Sequence, residues 1–147
     1  VTGKKPANQP ENARDKNPTQ PEKPAISITF RPERPGLEKF MGRLEAEVMQ
    51  IVWANGPMTV KRALYFINRK NKYAYTTIMT IMVRLHEKGY LSRNKEGASY
   101  VYSPITDERG FLKLAVAAVI AGLMNEYRTI TANLFHKVRK ASKKAAD

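Results

Sequence analysis

The apolar positions between Leu37 and Pro104 keep a helical spacing through three segments and then alternate, and each pattern predicts its own element. Leu44, Val48, Ile51 and Val52 recur at the spacing of one helix face, which predicts a helix over Arg43–Asn55 with Gly42 as its N-cap. Glu45 and Glu47 then fall in the first turn, where the helix dipole favours them, and Asn55-Gly56-Pro57 is a stop. Met58-Thr59 reads as an extended connector and Thr59 as the cap of a second helix, with Val60, Ala63, Leu64 and Ile67 inward. A polar, basic turn from Asn68 to Tyr73 leads into the third helix. Ile78, Ile81, Met82 and Leu85 form its apolar stripe, and Thr76, Thr77, Thr80, Val83 and Arg84 its opposite face. Gly89 supplies a left-handed stop after Lys88. The period then drops to two. Leu91, Arg93 and Lys95 alternate with Ser92 and Asn94, Tyr100 and Tyr102 flank Val101, and Glu96-Gly97 is a turn signal. This predicts a β-hairpin whose loop carries Arg93 and Lys95 outward, ended by Pro104.

The flanks read differently. Residues 1–36 hold seven of the nine prolines among Lys, Asn, Gln and Glu, the composition of a disordered, basic arm. Within it, Ala25 to Phe30 alternates like a short strand or a segment docked on the domain. A solvated leader without a specific role is the simpler reading, and grazing of DNA by the arm is the alternative. After Pro104, Thr106 reads as the cap of a helix with Asp107 and Glu108 in its first turn, running to Tyr127. Its apolar residues surround the helix: Phe111, Leu112, Leu114, Val116, Val119, Ile120, Leu123, Met124 and Tyr127. A helix apolar all round must be covered on all sides, and a domain of ~70 residues cannot wrap it, so a second copy of the chain is the economical partner. The opposing reading is cover by a following helix, capped by Thr131 and carrying Leu134, Phe135 and Val138. That helix is expected to be short and to leave Lys137–Lys144 as a basic fraying tail. The expected organisation is therefore an arm (1–36), a folded unit (37–104) and a helical dimerisation region (105–147).

Charge changes the picture from fold to partner. Lys and Arg number 26 against 13 Asp and Glu, a net +13, and the central unit alone holds 11 basic against 5 acidic residues. An excess of this size points to an anionic partner, most often nucleic acid. Lys61 and Arg62 in the first turn of the second helix oppose the helix dipole, which fits an anion nearby, although solvent alone would tolerate them. The third helix presents a face of short hydroxylated side chains, basic at one end, with no acid before Glu87, and such a face can enter a DNA major groove. Three helices followed at once by a basic hairpin is the winged helix-turn-helix order. In that order the third helix reads the groove and the hairpin lies along the adjacent backbone. The fold expected is mainly α with a small β-hairpin wing and a C-terminal helical region.

Other chemistry finds no support. There is no cysteine, which removes disulfides, thiolate metal sites and a Cys nucleophile and leans towards a cytoplasmic setting. No signal-like opening is present, and the longest apolar run, Leu114 to Met124, falls far short of the ~20 residues of a membrane span. His86 and His136 lack partners at metal-ligand spacing, the acids form no close pair, and the eight glycines are dispersed. No enzyme activity, metal or cofactor is expected. Two rival readings remain beside a sequence-specific regulator: a sequence-indifferent, nucleoid-type DNA protein and a winged-helix protein-interaction module.

The residues also resemble a family. Leu44-Glu-Ala-Glu-Val-Met-Gln-Ile-Val-Trp53, Thr59-Val60, Ala74-Tyr-Thr-Thr-Ile-Met-Thr80, Arg84-Leu-His-Glu-Lys-Gly89 and Tyr100-Val-Tyr-Ser-Pro104 are similar to the penicillinase-repressor (BlaI/MecI/CopY) family, in order and at its spacing, from about Leu37 to Pro104. The resemblance implies a homodimeric winged-helix transcriptional repressor on a dyad-symmetric double-stranded operator. It places Tyr75, Thr76, Thr77, Thr80 and Arg84 towards groove and backbone, and Arg93 and Lys95 on the wing. Copper-responsive members release DNA through a C-terminal cysteine cluster, which this chain lacks. β-Lactam-responsive members are cut at an Asn-Phe bond in the first dimerisation helix, and Thr106 to Tyr127 contains no such pair. The inducer stays open: a small ligand, a partner protein or none.

Overall fold

Why the first predicted helix forms where it does is visible at its start. In the computed structural model, which describes residues 26–146, α1 spans Arg43–Asn55, and the Glu45 carboxylate reaches back to accept from the Gly42 backbone N–H at 2.8 Å. That bond satisfies one of the orphan donors at the helix start. The buried side is turned from the expected stripe. Glu45, Ala46, Val48, Met49 and Val52 are buried, whereas Leu44 and Ile51 are only half-buried.

Met58–Thr59 is more than a connector. It is a short strand, β1, paired antiparallel with Tyr102 and Val101, because a buried extended segment must find partners for its N–H and C=O groups. The second helix, α2, covers Val60–Ile67, and Thr59 Oγ1 accepts from Arg62 N as expected of a cap. The turn after it is closed by one side chain: Asn68 Oδ1 accepts from Tyr73 N at 2.8 Å and its amide donates to Tyr73 O at 3.0 Å. The third helix, α3, covers Tyr75–Glu87, burying Ile78, Met82 and Leu85, and ends at Gly89 with φ +79°. The hairpin consists of β2 (Leu91–Glu96) and β3 (Ser99–Pro104), and the sheet order is β1-β3-β2. Glu96 pairs with Ser99 around Gly97-Ala98, and Gly97 has φ +59°, the left-handed conformation that glycine adopts without cost.

Residues 26–36, grouped by composition with the arm, are seated on this body. Ile26 and Ile28 pack on the core, Ser27 N donates to Lys88 O, and the Phe30 ring stacks on Phe40 at 5.8 Å. The reading of residues 1–25 as a disordered arm lies outside the described residues.

The C-terminal region departs most from expectation. Helix α4 covers Glu108–Glu126, and its cap is Asp107, one residue after Thr106, with Oδ1 accepting from Gly110 N at 2.7 Å. The Thr106 side chain occupies the place a Cβ on residue 110 would need, so glycine permits this close turn. Helix α5 runs from Arg128 to Ala145, beginning before Thr131 and carrying Lys137–Lys144 as helix instead of a fraying tail. The Thr131 hydroxyl caps nothing in α5 and donates to Leu123 O of α4. Phe111, expected in a dimer contact, is 1% exposed inside its own chain. Its ring lies 4.9 Å from Tyr90, 5.7 Å from Trp53 and 6.5 Å from Phe40, so it belongs to the core. Trp53 fixes the same joint by donating from Nε1 to Thr106 O at 2.9 Å. Ala115 is also buried and Val119 packs against the core, and beyond Val119 α4 leaves it.

Candidate nucleic-acid interface

The apolar stripe of α3 seats that helix on α1 and α2 and thereby turns Tyr75, Thr76, Thr77, Thr80 and Arg84 to solvent. Thr80 Oγ1 donates to Thr76 O at 2.9 Å, which spends its proton inside the helix and leaves the oxygen to accept. Met79 shares the exposed face at 40% exposure and was not among the residues expected there. Its position four after Tyr75 is the helical signal that could have placed it.

The helix is anchored at its far end by an ion pair. Lys88 Nζ lies 2.8 Å from both oxygens of Glu45, which is buried at the start of α1. Burial pushes the Glu45 carboxyl up, but hydrogen bonds from Lys88 and the Gly42 N–H, with the charges of Lys88 and Arg84, outweigh it and hold it below the usual value. Beside it the buried Tyr90 hydroxyl donates to Ser27 O at 2.7 Å. Desolvation and the Glu45 charge push that phenol up to about 12. His86 Nδ1 lies 3.0 Å from Leu91 O and ties the last turn of α3 to the first residue of the wing.

The wing corrects one expectation. Arg93 and Lys95 sit within β2, not in the loop, and alternation puts them on the same face as the buried Leu91 and, across the ladder, Tyr102. They therefore look towards the α3 side of the molecule. They stay exposed because the hairpin extends past the body. The Arg93 guanidinium lies 4.6 Å from the centre of the Tyr100 ring. Lys61, Tyr75 and Arg93 line one crevice between the start of α2, α3 and the wing. Arg62 is turned along its own helix, with its guanidinium 5.8 Å from the Phe66 ring. Tyr100 stands beside the site residues that the sequence predicts. A two-residue loop sets it opposite Lys95 and diagonal to Arg93, which the register of a hairpin makes countable.

Among the described residues no three His, Cys, Asp or Glu side chains gather as a metal site, and no helix is long and apolar enough to cross a membrane.

Three helices in this order, a sheet closed by a strand from the connector, and a projecting hairpin define a winged helix-turn-helix protein. The chain belongs to the penicillinase repressor family, whose model matches residues 41–147 and so takes in α4 and α5 as well as the wing. It is similar to the penicillinase repressor of Bacillus licheniformis, at 30% identity over 70 residues, covering 48% of this chain and 55% of that protein. It is also similar to the transcriptional regulator BlaI of Mycobacterium tuberculosis, at 30% over 66 residues (44% and 48%). The methicillin resistance regulatory protein MecI of Staphylococcus aureus matches at 28% over 64 residues (44% and 52%). The chain thus spans about half the length of the curated relatives it matches. Among solved structures, the DNA-binding domain of the repressor BlaI matches at 31% identity and a TM-score of 0.43, over 46% of this chain and 83% of that one.

Proposed function

We propose that this protein is a sequence-specific, DNA-binding transcriptional repressor that acts in the cytoplasm as a homodimer on a dyad-symmetric operator. The observation that carries the reading is the exposed face of α3, hydroxylated and basic without an acid before Glu87, with Lys61 and Arg93 lining one crevice beside it and Lys95 further along the wing. Thr76, Thr77, Thr80 and Arg84 read base edges in the major groove, and the lysines and arginines around them bind phosphates. The relatives' names as repressors and regulators of transcription agree with this reading. No catalytic step is assigned to any residue.

The dimer is formed by α4 and α5. In the single chain Leu114, Val116 and Leu123 of α4 stay exposed, and so do Tyr127 at the joint and Ile130, Leu134, Phe135 and Val138 of α5. Ile120 and Met124 line a cavity of about 330 Å³ against Phe135 and His136. An apolar surface of this extent on both helices calls for cover, and a second copy supplies it symmetrically. Leu112 and Val119 pack on the chain's own core and contribute less to a partner.

Selection from a randomised duplex library by the purified protein at ~150 mM salt, near physiological strength, tests the reading. An enriched inverted repeat is the expected result. Retention without enrichment would identify a sequence-indifferent DNA protein, and no retention a protein-interaction module.

A further inference from the structure

The crevice between α3 and the wing is lined from β1, α2, α3 and both wing strands, holds about 230 Å³, and contains no acidic residue in its lining. Lys61 enters it from the first turn of α2 and Arg93 from β2, Thr59, Tyr75 and Ser99 add polar groups, and Val60, Met79 and Val83 with the Tyr100 ring form its apolar wall. Arg93 is an exposed cation on a projecting strand, yet its guanidinium is seated 4.6 Å from the centre of the Tyr100 ring. A cation over an aromatic face is held there by the ring quadrupole, and the planar guanidinium keeps its N–H edge free for an anion. We infer that this crevice is a clamp for one phosphodiester group of the DNA backbone, gripped by Lys61 and Arg93 together, and that Tyr100 is the positioning residue that holds Arg93 at its mouth. The inference rests on the DNA-binding reading above and assigns within it a task to a residue that carries no charge. A space of about 230 Å³ has room for one phosphate group with its ester oxygens. The clamp therefore fixes register without reading sequence, as phosphate contacts do.

The test is DNA binding by full-length Tyr100→Phe, Tyr100→Leu, Arg93→Ala and the Tyr100→Leu/Arg93→Ala double variant, over a salt series, on operator and on unrelated duplex. Tyr100→Phe keeps the ring and binds like the parent protein. Tyr100→Leu loses about twofold to fivefold on both duplexes alike, the size of an exposed cation–π contact. Arg93→Ala lowers the slope of log K against log salt by about 1, the signature of one lost phosphate contact. In the Arg93→Ala background the Tyr100→Leu change has no further effect. Because Tyr100 is 44% exposed, its truncation leaves the fold intact, checked by an unchanged melting profile. Loss in Tyr100→Phe equal to that in Tyr100→Leu, or additive losses in the double variant, would overturn the positioning role while leaving DNA binding itself in place. Failure of the parent protein to bind any duplex would overturn the underlying reading instead.

Discussion

Replacing Lys88 by Met should destabilise this protein by about 2 kcal/mol, an intermediate value for the loss of one partner from a half-buried ion pair. The magnitude follows from where the two charges sit. The Glu45 side chain is 8% exposed and that of Lys88 35%, with Nζ 2.8 Å from both carboxylate oxygens. Removing one partner of a fully buried pair costs ~3–5 kcal/mol, whereas an exposed pair is worth ~0.2–1 kcal/mol. Lys88 lies between these limits, and Glu45 retains the Gly42 N–H after its removal, which brings the value down to the middle. Met keeps the aliphatic stem, so the change isolates the charge. Glu45→Gln should cost less, about 1 kcal/mol, because the amide oxygen still accepts from Gly42 N and the freed ammonium turns to water. Denaturant unfolding of both variants and the double variant, at one protomer concentration, gives the coupling. The pH dependence supplies an independent check. The folded Glu45 pKa lies below its unfolded value of 4.5, so its stabilisation is complete above 4.5 and is lost as pH falls through the folded value. The stability curves of the parent and of Glu45→Gln must therefore converge on acidification below pH 4.5. Parallel curves through that range, or Lys88→Met no more costly than Glu45→Gln, would refute the reasoning.

Other expectations separate the core from the surfaces. Phe111→Ala should cost ~3–5 kcal/mol as a large buried aromatic, and the loss should persist when protein concentration is raised. Leu134→Asp, by contrast, should leave the winged unit folded and shift sedimentation towards monomer, and an unchanged assembly state would count against α5 as a dimer surface. Thr77→Ala should flatten discrimination between operator and random DNA by ~1–3 kcal/mol at one base step, and equal losses on both duplexes would refute base reading. The Tyr90 phenol titrates at about 12 when folded and near 10 when unfolded. The folded state thus holds the proton longer, and stability should fall as pH rises from 10 to about 12 by roughly 2–3 kcal/mol. Tyr90→Phe should abolish that alkaline slope, and persistence of the slope would assign it to another group.

What the sequence determined by itself was whatever depends on neighbours within a few residues. The span of α1 from Arg43, the Thr59 cap, the stripe of Ile78, Met82 and Leu85, the stop at Gly89 and the turn at Gly97 are local matters of period and backbone conformation, and all were legible. The basic, hydroxylated face of α3 was legible for the same reason, since burying one stripe exposes the other. The tertiary structure decided the rest. Glu45 looked like a first-turn acid placed for the helix dipole, and only the approach of Lys88, 43 residues away, makes it the buried member of an ion pair. Met58–Thr59 became a strand because β3 offered it an edge. Phe111 looked like part of an apolar helix awaiting a second copy, and Phe40, Trp53 and Tyr90 took it into the core of its own chain. Arg93 and Lys95 were assigned outward when a loop was expected to carry them. Pairing with Tyr102 and Tyr100 turned them to the α3 side, because a strand's register fixes the face of every residue along it. Periodicity states which residues share a face. Only the long-range contacts, which no local window contains, state what that face meets.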